Sequence, residues 1–164
     1  MSEELLRAVG ERVFPRLGFS PTDLLWQRLA RVVQNQARQA GFDAPEAYLR
    51  YLLRAGEREL DRLAEDLTIN ETYFFREPKH FDALRQLLPE LARGGGPVRI
   101  LSAGCATGEE AYSLAIAAHR TLGPLGVEFE VLGVDIDRRA LERAQEGRYR
   151  RWSFREQGLQ QAQG

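Results

Sequence analysis

VRILSAGCATGEEAYSLAIA, residues 98–117, runs from aliphatic residues through a turn of small ones directly into a helical pattern. The apolar run ends at Gly104, and from Glu109 onward apolar residues recur at helical spacing. FEVLGVDID (129–137) is a second apolar run and RRALERAQEG (138–147) a second helical stretch. Strand, helix, strand, helix is the pattern of a parallel sheet with crossover helices.

Upstream the pattern is helical throughout. In SPTDLLWQRLARVVQNQARQAG (20–41), Ser20 reads as the N-cap, Pro21 as the first helical residue, and Leu25, Leu29, Val32 and Val33 as one apolar face that stops at Gly41. Asp43 with Glu46 signals another start, followed by Tyr48, Leu49, Leu52 and Leu53. Leu60, Leu63, Ala64 and Leu67 mark a third helix, and SEELLRAVGERVF (2–14) a short amphipathic one. After NETYFFREP (70–78), Pro78 opens a helix with the stripe Phe81, Leu84, Leu87, Leu88 and Leu91, ended by Gly94 to Pro97. The expected organisation is an all-α domain at 1–75 and, at 76–164, the first half of a Rossmann-like α/β domain. The polar tail from Arg155 has no period and reads as lacking regular structure.

The 164 residues carry 23 Lys and Arg against 24 Asp and Glu, a net charge of −1. This balance argues against a general nucleic-acid or membrane-surface binder, which would show a basic excess. Cys105 is the only cysteine, so neither a disulfide framework nor a cysteine-based metal cluster is expected. With no signal-peptide order and no run of membrane-spanning length, the expected location is cytoplasmic.

The turn after the first strand says what it can hold. In open α/β sheets ligands bind beyond the carboxyl ends of the strands, where glycines let backbone approach closely; Gly104 and Gly108 serve here. Ala106 breaks the dinucleotide pattern G-x-G-x-x-G, and no Gly-Lys-Ser/Thr follows to hold a triphosphate. Glu109 and Glu110 in the first helical turn would repel a phosphate and favour a cationic ligand. S-adenosylmethionine is such a ligand, although acidic residues there also stabilise a helix with no ligand at all. Asp135 ends the second strand, where ribose hydroxyls find an acceptor; the competing role, N-cap of the next helix, suits Asp137 better.

Three motifs in order, NETYFFRE (70–77), SAGCATGEEAYSLA (102–115) and GVDID (133–137) with a helix ending in GRY, closely resemble the CheR-type chemoreceptor protein-glutamate O-methyltransferases. The resemblance covers roughly residues 20–155. It implies a helical domain joined to a Rossmann-like domain, S-adenosylmethionine as methyl donor, and glutamate side chains on the cytoplasmic helices of chemoreceptors as acceptors. It places the cofactor contacts on Asn70, Thr72, Arg76, Glu110 and Asp135. Methyl transfer to an ionised carboxylate is an in-line displacement that needs positioning more than a base. Arg76 is the candidate catalytic residue, orienting either the acceptor carboxylate or the cofactor carboxylate.

Other residues receive plainer readings. Tyr73, Phe74 and Phe75 read as core between the domains, and Cys105 as a small hydrophobe in a tight corner. His80 and His119 lack ligand spacing, so no metal is expected. Arg28, Arg31 and Arg38 lie at helical spacing away from the apolar stripe; such a series is either a solvated face or, as in the resembled family, a surface for acidic receptor helices. The family's sheet is larger and its second half carries an antiparallel insertion, whereas this sequence ends after the second strand and its helix. The expectation is that this chain alone does not turn over. A non-catalytic module binding a receptor or signalling partner, with a vestigial cofactor turn, is the alternative.

Overall fold

A computed structural model of the chain describes residues 1–18 and 20–155. The tail from residue 156 lies outside the described residues. The chain divides into two compact units, Met1–Ile69 and Asn70–Gly164. This boundary falls ahead of the one expected at residue 75, because the NETYFF segment is tied into the second unit. The Phe74 N–H donates to the Ser153 carbonyl at 2.8 Å and the Phe75 N–H to Ser113 Oγ at 2.9 Å.

The first unit is all helical: α1 (Glu3–Leu17), α2 (Asp23–Gln39), α3 (Pro45–Arg54) and α4 (Glu57–Leu67). Val9, Val13, Leu29, Val33, Leu49, Leu52 and Leu63 are fully buried in one cluster, which the edge-to-face pair Phe14–Trp26, 4.6 Å between ring centroids, extends. Two helix starts differ from the sequence reading. Thr22, not Ser20, caps α2, its Oγ1 accepting from the Leu25 N–H at 3.3 Å, which leaves Asp23 in the first turn where its charge meets the helix dipole. Asp43 does not cap α3: Ala44 holds that position ahead of Pro45, and Glu46 instead accepts from the Ser2 N–H at 3.0 Å.

The second unit runs α5 (Pro78–Ala92), β1 (Val98–Ala103), α6 (Glu109–Leu122), β2 (Phe129–Val134) and α7 (Arg138–Glu146), then a 3₁₀ turn over Arg151–Phe154. It is the start of a Rossmann-like α/β fold, following an all-α unit. The strands are parallel, in register from Val98 opposite Phe129 to Ala103 opposite Val134. Val98, Ala118, Leu122 and Leu88 form the core beneath one face of the pair, with Ile100 and Phe129 packed against it. The period of two sends Leu101 and Leu132 to the other face, where they are 61% and 57% exposed. Leu87 and Leu91 of the expected α5 stripe are also exposed, since Phe81 and Leu88 alone turn fully inward.

Phe74 and Phe75 are core residues of this second unit itself. Phe74 stacks on Phe154, with centroids 4.5 Å apart, and meets Tyr149 edge-on; Phe75 packs on Phe81 at 5.0 Å. Among the described residues no helix is long and apolar enough to cross a membrane.

Candidate cofactor-binding site

At the carboxyl end of the strands the turn is sewn to its neighbour. The N–H groups of Gly104 and Cys105 both donate to the Val134 carbonyl, at 2.8 and 3.0 Å. Gly104 has φ +83, and a Cβ there would meet nothing within 4 Å, so glycine serves the chain's direction and leaves open space beside the turn. Ala106 also sits at positive φ, 47°, which costs an L-residue about 1 kcal/mol. Asp135 offsets that strain: its Oδ2 accepts from the Ala106 N–H at 2.8 Å while its Oδ1 accepts from the Asp137 N–H at 2.9 Å. A carboxylate has about four lone-pair sites, so this half-buried group keeps capacity for hydroxyl donors.

The two glutamates of the first helical turn part company. Glu110 is exposed, and Ser102 Oγ donates to its Oε1 at 2.7 Å, fixing the carboxylate beside the strand end. Glu109 is 1% exposed and accepts from Thr107 Oγ1 at 2.6 Å. The Tyr149 hydroxyl donates to the Thr107 carbonyl at 2.7 Å, and burial, then the charge of Glu109, pushes the phenol's pKa up. A Cβ on Gly108, whose φ is +97, would stand 2.6 Å from that hydroxyl oxygen and 2.8 Å from Ala144 Cβ. Gly108 therefore serves close packing of turn, α7 and Tyr149. Ser102 and Tyr149 escaped the sequence reading; only the period of two along β1 and the tyrosine of GRY pointed to them.

Asn70 reaches this assembly indirectly. Its Nδ2 donates to Asp137 Oδ2 at 2.6 Å, while Asp137 Oδ1 caps α7 by accepting from the N–H groups of Arg139 and Ala140 at 2.9 and 3.3 Å. Burial is the largest single influence on the Asp137 carboxyl and opposes its charge. The Asn70 amide, the backbone donors and the charge of Arg139 together outweigh it and lower the pKa. A folded-state pKa below the unfolded value gives stability that is present above the unfolded value and lost as pH falls through the folded one. Asn70→Ala should therefore lower the melting temperature at neutral pH and shrink its fall on acidification, read by thermal denaturation from neutral to acid pH. An unchanged acid slope would remove Asp137 from the acid response.

The remaining candidates lie elsewhere. Arg76 is exposed, its Nη1 donating to the Glu71 carbonyl at 2.6 Å and its guanidinium 5.8 Å from the Tyr73 ring centroid. Neither contact joins it to Glu110 or Asp135. Thr72, earlier in the same segment, is half-buried. In the first unit Arg31 and Arg38 are exposed on α2, whereas Arg28 is half-buried, one terminal nitrogen donating to the Thr68 carbonyl at the end of α4 and its Nε buried without a partner. Among the described residues no group of three His, Cys, Asp or Glu could hold a metal ion.

The family described as CheR methyltransferase, SAM binding domain, matches residues 70–162. The chain belongs to the CheR methyltransferase family. It is 32% identical to the chemotaxis protein methyltransferase of Escherichia coli K12 over 99% of this chain and 56% of that protein. It is 37% identical to the chemotaxis protein methyltransferase of Borreliella burgdorferi, over 66% and 42% of the two chains. The "Probable biofilm formation methyltransferase WspC" of Pseudomonas aeruginosa is also 37% identical, over 85% of this chain and 33% of its own. The chain thus spans between a third and somewhat over half the length of these relatives. The CheR domain's ligand is S-adenosylmethionine. The residues at the strand ends are compatible with it: Gly104 leaves room for close approach, and the carboxylates of Glu110 and Asp135 are acceptors suited to ammonium, sulfonium and hydroxyl groups and unsuited to a phosphate.

Proposed function

We propose that this chain carries the cofactor-binding part of a methyltransferase that esterifies glutamate side chains of chemoreceptors. The observation that carries the proposal is Asp135 at the end of β2, which pins the strained Ala106 turn through one oxygen and the Asp137 N–H through the other and still has lone pairs for further donors. Bound S-adenosylmethionine would supply a sulfonium methyl group for in-line displacement. Asp135 would hold its ribose, Glu110 its cationic amino-acid end, and Arg76 the donor or acceptor carboxylate. Asn70 acts through Asp137, as a positioning residue.

A form extended to the length of the relatives should transfer labelled methyl groups to receptor glutamates, as esters that alkali releases as methanol. The 164-residue chain alone should show no transfer, because the described sheet has two strands and provides one wall of the pocket. Robust turnover by the chain alone would refute this division of labour. An extended form that binds cofactor yet labels no glutamate would refute the acceptor assignment.

The acidic receptor helices would meet α2 through Arg31 and Arg38, with Arg28 anchoring that helix to the end of α4. Arg31→Glu with Arg38→Glu should weaken receptor association about tenfold at low salt and flatten its salt dependence, with helicity unchanged. Unaltered binding at every salt concentration would make this face a solvated one.

A further inference from the structure

The segment Arg138–Arg155 holds seven arginines against two glutamates, in a chain whose net charge is −1. Three of these arginines, Arg143, Arg148 and Arg150, line one cleft of about 520 Å³ together with Trp152 and Glu146, its base formed by Thr107, Glu109 and Tyr149. Among the described residues none of the three makes an ion pair. Trp152 is 65% exposed, although its neighbours are drawn inward, Ser153 by its carbonyl accepting from the Phe74 N–H and Phe154 by its ring stack on Phe74. The cofactor turn and α7 hold this cleft's base rigidly, through the Tyr149 hydroxyl on the Thr107 carbonyl and the close approach of Gly108 to Ala144. Asn70 also lines the cleft, but neither these arginines nor Trp152 is among the residues proposed to hold cofactor or acceptor.

We propose that this cleft is a second binding site, for a purine nucleotide polyphosphate. Guanidinium groups without carboxylate partners are matched to phosphate oxygens, which they grip through paired N–H donors. The exposed indole of Trp152, lining the same cleft, offers a stacking face for a base. Glu146 supplies an acceptor for a base's amino edge and would repel an acidic polypeptide, which sets a nucleotide above an acidic protein segment as occupant. A phospholipid headgroup shares the phosphate chemistry. The groups line a concavity of small-molecule size rather than project from a convex face, which favours the free ligand. The site differs from the S-adenosylmethionine turn in its balance of charge: three arginines outnumber Glu109 and Glu146 along this cleft, whereas Glu110 and Asp135 at the turn have no arginine among their hydrogen-bond partners.

The test titrates the chain with GTP, following tryptophan fluorescence and heat, with inorganic tripolyphosphate and phosphatidylglycerol vesicles as parallel probes. Saturable quenching by GTP is expected. Arg148→Glu with Arg150→Glu should raise the dissociation constant about tenfold or more, and the corresponding lysine pair should recover part of it. Trp152→Ala should abolish the quench and weaken GTP about tenfold while changing tripolyphosphate affinity less than about twofold. Trp26, the other tryptophan, remains as the folding reporter in that variant. Excess S-adenosylhomocysteine should leave the GTP titration unchanged. Absence of saturable binding up to about 1 mM, displacement by S-adenosylhomocysteine, indifference to the arginine substitutions, or binding to vesicles alone would each overturn the proposal.

Discussion

Asp135→Ala should weaken S-adenosylmethionine binding by about a hundredfold in a form carrying the whole domain, a loss of roughly 3 kcal/mol. Two effects add. The ribose loses hydrogen bonds to a charged acceptor, worth about 1.5 to 3 kcal/mol each. The Ala106 N–H also loses its partner, so the positive φ of that residue is no longer offset and the turn can relax away from the ligand. Glu110→Gln keeps an acceptor for Ser102 but removes the charge facing the cation, and about tenfold is expected. Calorimetric titration separates the cases: a large loss at Asp135 with a smaller one at Glu110 supports a preorganised turn. Affinities unchanged in both variants would leave Asp135 a turn clamp and Glu110 a helix-dipole residue.

What the sequence showed of this site follows from how local each cause is. The β1 turn and α6 were legible because strand, glycines and helix start are contiguous, and Asp137 as the cap of α7 because an N-cap acts within its own turn. The functions of Glu109 and Glu110 were not separable, since adjacent helical residues diverge by about 100° and only tertiary packing decides which one is buried. Tyr149 reaches back 42 positions to Thr107, and Asn70 spans 67 to Asp137; no periodicity encodes such pairs. Phe74 and Phe75 were recognisable as core, but their partners, Phe154 and Phe81, decide which core. The boundary at Ile69 follows from those partners, as does the position of Arg76 at the surface of the second unit.

Arg76→Ala in the extended form should cut methyl transfer by about a hundredfold or more while leaving thermal stability within roughly 0.5 kcal/mol. Stability is spared because the side chain is exposed and its partner, the Glu71 carbonyl, can turn to water. Under the role proposed for Arg76 the rate is not, and the backbone supports that role: Phe75 and Glu77 on either side both have left-handed φ, 54° and 59°. Each costs a non-glycine residue about 1 kcal/mol or more and persists only because the surroundings impose it. Phe75 is held by Ser113 Oγ on its N–H and by Phe81 on its ring, and Glu77 is fixed where Pro78 starts α5. Arg76 thus stands exposed between two residues of constrained backbone, a placement that suits the proposed orienting of a carboxylate for in-line attack. Arg76→Lys should fail to restore the rate, because an ammonium lacks the planar pair of donors that fixes both carboxylate oxygens. Comparing transfer rate with cofactor affinity then assigns the partner: a loss in rate at unchanged affinity places Arg76 on the acceptor, whereas parallel losses place it on the cofactor carboxylate. A rate within about twofold of the parent would reduce it to a solvated side chain on a strained turn.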